Sequence, residues 1–182
     1  GPGRDISAAG GPANNLHITD SMSQLFQIHP DNPQPRLVKQ AVDMIRTGAV
    51  VVYPTDSGYA LGCHLDDKKA LDRIRSIRQL SEKHKFTLVC RDLSELGTYA
   101  KVGNTAYRLL KAVTPGPYTF VLPATREVPR RLQQPKRKTI GLRVPANPIA
   151  QALLEQLGEP MVSSTLILPG EEVPESVPYD IR

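Results

Sequence analysis

The sequence predicts an α/β protein built on a twisted, open sheet of mixed strand direction. Helical periods alternate with short β-branched runs along residues 35–168, the order expected of helices laid against a sheet. That alternation breaks once, where runs follow one another around the Pro115-Gly116-Pro117 turn, so part of the sheet is antiparallel. A length of 182 residues suits one domain with its own core.

Residues 1–21 hold four Gly, two Pro and no hydrophobic period. They are expected to be a leader or disordered arm outside a single domain spanning 22–182. Leu37, Val38, Ala41, Val42 and Ile45 recur at helical spacing and Gly48 stops them. Residues 49–53 form a β-branched apolar run ended by Pro54, suited to a strand buried on both faces, and 59–63 give a second, shorter strand. Asp66 is placed to cap a helix through Leu80 with Ala70, Leu71, Ile74 and Ile77 on its apolar side. Residues 86–90 read as a strand and 94–100 as a short helix or turn, after which Asn104 caps a helix that breaks at Thr114-Pro115-Gly116-Pro117. Strands follow at 118–122 and 139–144, separated by a polar, basic loop or short helix at 126–138. Asn147-Pro148 supplies a cap and a first-turn proline for a helix ending at Gly158, and 161–168 is the last strand. From Pro169 the chain is acidic and proline-bearing, so the domain is expected to be incomplete at its C-terminus.

Charge is distributed unevenly around a formal net of +5. Residues 67–91 carry eight Lys/Arg against three acids and 126–143 seven against one, whereas 170–182 carry four acids and one Arg. Such clusters are either solvated basic faces or attract phosphate-bearing ligands, nucleotide or nucleic acid. Arg75, Lys83, Lys85, Arg130, Arg131, Lys136, Arg137 and Lys138 are the candidates for contacting RNA. Few aromatics (5%, no Trp) argue for backbone contacts to duplex RNA over stacking on single strands. No run approaches the roughly 20 apolar residues of a membrane span, and no signal peptide is evident. Cys63 and Cys90 are too few for a disulfide framework and read as small buried residues, which fits a cytoplasmic location. The four histidines lack metal-ligand spacing, so no metal site is expected. Phosphate-loop, dinucleotide, zinc-helix and nucleophile-elbow motifs are absent, and no residue is assigned as catalytic.

Four segments place small, hydroxyl or cationic residues at strand ends, where open α/β sheets bind ligands: 53–61, 77–85, 115–119 and 160–165. Taken alone, their hydroxyls cap turns as readily as they bind substrate. In order, the chain resembles the YrdC-like family, whose enzymes make threonylcarbamoyl-adenylate (threonylcarbamoyl-AMP) for tRNA modification. Tyr53-Pro54-Thr55-Asp56-Ser57-Gly58-Tyr59-Ala60-Leu61 is similar to its Pro-Thr-Asp/Glu-Thr-Val-Tyr-Gly-Leu segment, Pro115 to Thr119 to its Pro-Gly-Pro-x-Thr turn, and Thr139-Ile140-Gly141-Leu142-Arg143-Val144-Pro145 to its Thr-Ile/Val-Gly-x-Arg-x-Pro strand. Tyr53 to Cys63, residues 86–88 with 90–96, and residues 127–132 give a closer likeness to the bacterial YciO branch of that family.

The resemblance implies a YrdC-like sheet with a basic concave cavity, and ATP with Mg as substrate alongside L-threonine and bicarbonate. Thr55 and Ser57 would face the amino acid, and Arg78, Thr119, Arg143, Ser163 and Thr165 the nucleotide. It also implies two departures. The family's Lys-x-Arg falls on Arg78-Gln79-Leu80, and its Ser-x-Asn on Thr165-Leu166-Ile167, so one cation and one amide are lost. The expectation is therefore a nucleotide-binding protein with weak or altered adenylating activity; the alternative is a module for duplex RNA that has lost efficient catalysis.

Overall fold

A computed structural model describes residues 15–19, 24–56, 58–78, 86–166 and 177–178. In chain order these form β1 (Asn15–Thr19), β2 (Gln24–Gln27), α1 (Pro35–Arg46), β3 (Val50–Thr55), β4 (Gly58–His64), α2 (Lys68–Arg78), β5 (Thr87–Val89), α3 (Leu93–Tyr99), α4 (Asn104–Val113), β6 (Phe120–Pro123), β7 (Thr139–Arg143), α5 (Pro148–Leu157), β8 (Met161–Leu166) and β9 (Val177–Pro178). The described strands make one sheet in the order β2-β1-β3-β4-β8-β5-β7-β6-β9. Pairing is parallel between β5 and β7 and between β6 and β9, and antiparallel elsewhere. This is the open sheet of mixed direction that the sequence predicts.

The β-branched run in β3 is buried on both sides because the sheet has helices on both faces. Val50 and Val52 join an apolar cluster with Leu71 and Ile74 of α2, Leu96 of α3 and Leu110 of α4. Val51 and Tyr53, pointing the other way, join a second cluster with Val38 and Ile45 of α1 and Leu153 and Leu154 of α5. The pair α1 and α5 is also tied end to end: Arg46 Nη2 donates to the Leu157 carbonyl at 2.8 Å and to the Gln156 carbonyl at 3.2 Å, satisfying acceptors at the C-terminus of α5. Asn147 caps α5 by accepting from Ile149 N and Ala150 N.

Several expectations are corrected. The segment Asn15–Thr19, assigned to an arm outside the fold, pairs with both β2 and β3. Its alternation of Leu16 and Ile18 with polar residues is a short strand signal that the surrounding Gly and Pro obscure. Strand β4 is seven residues long, exceeding the six of β3. The cap of α2 is Asp67, whose carboxylate accepts from Ala70 N at 2.9 Å, and Ile77 is 46% exposed, not part of its buried side. Asn104 is the first residue of α4, with Gly103 at the cap position. The basic stretch after β6 holds one 3-10 turn, Arg130–Leu132. Residues 79–85 and 167–168, the ends of an expected helix and strand, lie outside the described residues.

Helix α3 starts on Asp92, whose carboxylate accepts from Glu95 N, while Glu95 Oε1 accepts from Arg91 N, both at 2.8 Å. Glu95 is buried, and burial is the main cause that raises its pKa. A carboxyl with a folded pKa above its unfolded value of about 4.3 binds its proton more readily when folded. Its contribution to stability is therefore full at low pH and is lost as pH rises through the raised value. Replacing Glu95 by Gln keeps an oxygen for Arg91 N and removes the titration. Urea unfolding of E95Q and the parent should show a stability difference in favour of the variant that grows with pH and then levels off.

Candidate functional site

Three segments singled out in the sequence meet where β7 ends. Cys90 N, just past β5, donates to the Arg143 carbonyl at 2.8 Å, and Gly116 N, in the Pro-Gly-Pro turn, donates to the Val144 carbonyl at 2.9 Å. Ala146 N donates to Asp56 Oδ2 at 2.9 Å, which docks the β3–β4 turn on the same stretch. Arg143 reaches back, its Nη2 donating to the Pro117 carbonyl at 3.0 Å. Glycine is needed at two of these turns. Gly58 has φ +143°, and a Cβ at Gly116 would lie 2.8 Å from the Val113 carbonyl oxygen.

The sheet register then lines up one row of side chains. Thr87 pairs with both Gly141 and Ser163, and Ser163 pairs with Gly62, so these four positions lie side by side on one face. A Cβ on Gly141 would sit 3.4 Å from Thr119 Cγ2 and 3.4 Å from Thr87 Oγ1, which places Thr119 in the same row. Alternation adds Thr55 from β3, Thr165 from β8 and Arg143 from β7. Helices α1 and α5 cover only the part of this face around Val51, Tyr53, Ala60, Val89 and Met161. Thr55, Thr87, Thr119, Gly141, Arg143 and Thr165 are half-buried, so this part of the face carries four hydroxyl-bearing side chains and one guanidinium.

The buried end of the row is fixed by Tyr53. Its hydroxyl lies 2.7 Å from Ser163 Oγ, and Ser163 donates to the Leu61 carbonyl at 3.0 Å. A serine has one proton, so Tyr53 must be the donor in the first bond. Burial pushes the Tyr53 phenol up to about 12, with the Ser163 bond and the Arg143 charge pulling partly the other way, so it stays a donor. Ser163 is left with no proton for a phosphate oxygen. The Tyr53 ring fits because residue 62 is glycine: a Cβ there would come within 2.9 Å of Tyr53 Cε1.

Thus Thr55, Thr119, Arg143, Ser163 and Thr165 share one face, but Arg78 does not join them. Its Nη1 donates at 2.7 Å to Ser164 Oγ, and Ser164, adjacent to Ser163, points to the opposite face. Arg75 lies on the Phe86 ring, 4.7 Å from its centroid. Arg130, Arg131, Lys136, Arg137 and Lys138 are exposed on the loop whose Val128 and Leu132 pack into the cluster with α2, α3 and α4, and Arg131 Nη2 donates to the Leu65 carbonyl at 3.4 Å. Ser57, Lys83 and Lys85 lie outside the described residues. Both cysteines are free and buried; burial pushes Cys63 up to about 12 and raises Cys90 as well. His64 Nδ1 accepts from Asp66 N, so its proton sits on Nε2, 2.7 Å from Glu159 Oε1. Among the described residues no cluster of three metal-ligating side chains occurs, and no helix is long and apolar enough to cross a membrane.

Sequence reasoning has Tyr53, Gly62 and Thr87 only inside quoted segments and gives none of them a role in the site. G62A forces the buried Tyr53 ring off Ser163 and should cost about 1–3 kcal/mol. Y53F, which removes one hydrogen bond and no volume, should cost about 1 kcal/mol. Thermal unfolding of both variants checks this order.

Residues 43–178 match the model of the Sua5/YciO/YrdC family, described as "Telomere recombination". The chain is 66% identical over 161 residues to the uncharacterized protein YciO of Escherichia coli K12, covering 88% of this chain and 78% of that one. It is 35% identical over 144 residues to the threonylcarbamoyl-AMP synthase of Chromobacterium violaceum, covering 79% and 74%. The crystal structure of E. coli YciO superposes with a TM-score of 0.76 at 68% identity, over 81% of this chain and 72% of that one. P. abyssi Sua5 complexed with L-threonine superposes with a TM-score of 0.68 at 29% identity, over 74% and 39%. With most of its length matched, and with its strand-end motifs gathered on one face, the chain belongs to the Sua5/YciO/YrdC family.

Proposed function

We propose that this face binds ATP, with Mg as part of that substrate, together with L-threonine, and forms threonylcarbamoyl-adenylate at a reduced rate. The observation that carries the proposal is the gathering of Thr55, Thr119, Arg143 and Thr165 on one half-buried face. L-Threonine and bicarbonate condense to the carbamate with loss of water. The carbamate oxygen attacks the α-phosphorus of ATP, and pyrophosphate leaves. Arg143 sets a fixed positive charge beside Thr119, where phosphoryl oxygens gain negative charge. Thr55 and Ser57 serve the amino-acid end. The relatives named threonylcarbamoyl-AMP synthase and the Sua5 structure with L-threonine support this assignment.

Reduced activity is supported by the placement of Arg78 on Ser164, away from the row, and by Leu80 and Ile167 standing where the family has a cation and an amide. Losing one such donor costs about 3 kcal/mol or more, roughly two decades in rate. Pyrophosphate release that requires ATP, threonine and bicarbonate together, about a hundredfold slower than a synthase of the family, is the expected result. Release that ignores threonine would overturn the proposal. In R143M, nucleotide affinity should fall about tenfold or more while the melting temperature moves by only a few degrees; calorimetric titration with ATP and thermal unfolding measure the two.

The exposed cations at Arg130, Arg131 and 136–138 favour a second reading, a surface for the phosphate backbone of duplex RNA. Retention of a tRNA on the protein should then fall steeply with salt, and reversing Lys136, Arg137 and Lys138 to Glu should flatten that dependence. A salt-independent response excludes it.

A further inference from the structure

We infer that Asp56 is a positioning residue, which sets the distance between the threonine-side hydroxyls and Arg143 by holding Ala146 N–H. The inference rests on the proposed reaction for its kinetic consequence and on geometry for the rest.

Residues 144–147 are irregular backbone between β7 and α5, and several polar groups of the stretch from Arg143 onward have partners in other segments. The carbonyl of Arg143 takes Cys90 N and that of Val144 takes Gly116 N. The Pro145 carbonyl takes Gln151 Nε2 at 2.6 Å, and the same amide nitrogen also donates to the Arg91 carbonyl at 3.0 Å. Asn147 is fixed as the cap of α5. Ala146 N–H is the donor aimed at the β3–β4 turn, and Asp56 Oδ2 accepts it at 2.9 Å across 90 residues of sequence. Asp56 is exposed, so it is not a core residue retained for packing. It directly follows Thr55, whose hydroxyl is turned inward onto the Gly58 carbonyl at 3.2 Å. The carboxylate therefore connects the turn bearing Thr55 to the stretch that begins at Arg143, the two sides that the reaction must bring within bonding distance.

Two substitutions separate positioning from direct contact. D56N keeps an oxygen acceptor for Ala146 N–H and removes the charge; D56A removes both. In D56A, hydrogen exchange at the Ala146 amide should accelerate about tenfold or more. The KM for threonine should rise about tenfold, with kcat changing less and the melting temperature within a few degrees of the parent. D56N should restore both exchange and KM. Unchanged Ala146 exchange in D56A overturns the inference, as does a D56N protein that protects Ala146 yet keeps the raised KM, since Asp56 would then act by its charge on the substrate. If the parent releases no pyrophosphate in response to threonine, the proposed reaction fails, and the inference about Asp56 is decided by the exchange measurement in the two variants.

Discussion

Hydrogen bonds from Cys90 just past β5, the Pro-Gly-Pro turn, the β3–β4 turn and α5 converge on the five residues that follow Leu142, and the rest of the site depends on that convergence. Strand β7 is held by ladders to β5 and β6, and α5 by its cap and its packing on α1. In the irregular link between them Val144 and Pro145 are buried, so their carbonyls need hydrogen-bond partners within the protein. Its partners come from turns that also bear Asp56, Gly116 and Pro117, so the need to satisfy one piece of backbone brings the strand-end motifs to a common rim. Arg143 gains its orientation from the same arrangement, through the Pro117 carbonyl.

The layout of the fold was legible because its signals are local. The helical period of α1 and the β-branched run of β3 report burial within one element, and Asn147-Pro148 with Gly158 marks where α5 starts and stops; the structure has all three. Boundaries that depend on neighbours were not. Asp66 and Asp67 offer equally good caps, and only the geometry of the turn after His64, whose Nδ1 takes Asp66 N, selects the second. Strand β1 has a partner on either side, which raises a five-residue alternation too short to stand alone into part of the sheet.

At the site the motifs were legible but the face was not. That Thr55, Thr119, Arg143 and Thr165 share a side follows from register, which no single segment encodes. The same register explains the fate of Arg78: one step along β8 separates Ser163, beneath Tyr53, from Ser164, on the helix side where Arg78 ends. Gly62 lies in a segment quoted for its family likeness but has no role there of its own. Its meaning lies in an aromatic ring on β3 that cannot be placed until the strands are paired.

The position of β8 bears on how the molecule assembles. It is late in the chain yet sits mid-sheet between β4 and β5, and the Tyr53–Ser163 pair it makes spans 110 residues. While the chain is being synthesised, β4 and β5 each keep a row of unpaired amides and carbonyls that nothing made so far can occupy. Such edges recruit strands from other molecules, and closing them requires contacts of large sequence separation, which form slowly. The two halves of the sheet are joined by insertion of β8 into the middle, while the later β9 adds only at the rim beside β6, so an interrupted chain ending before residue 161 would present two half-sheets and the adhesive gap between them.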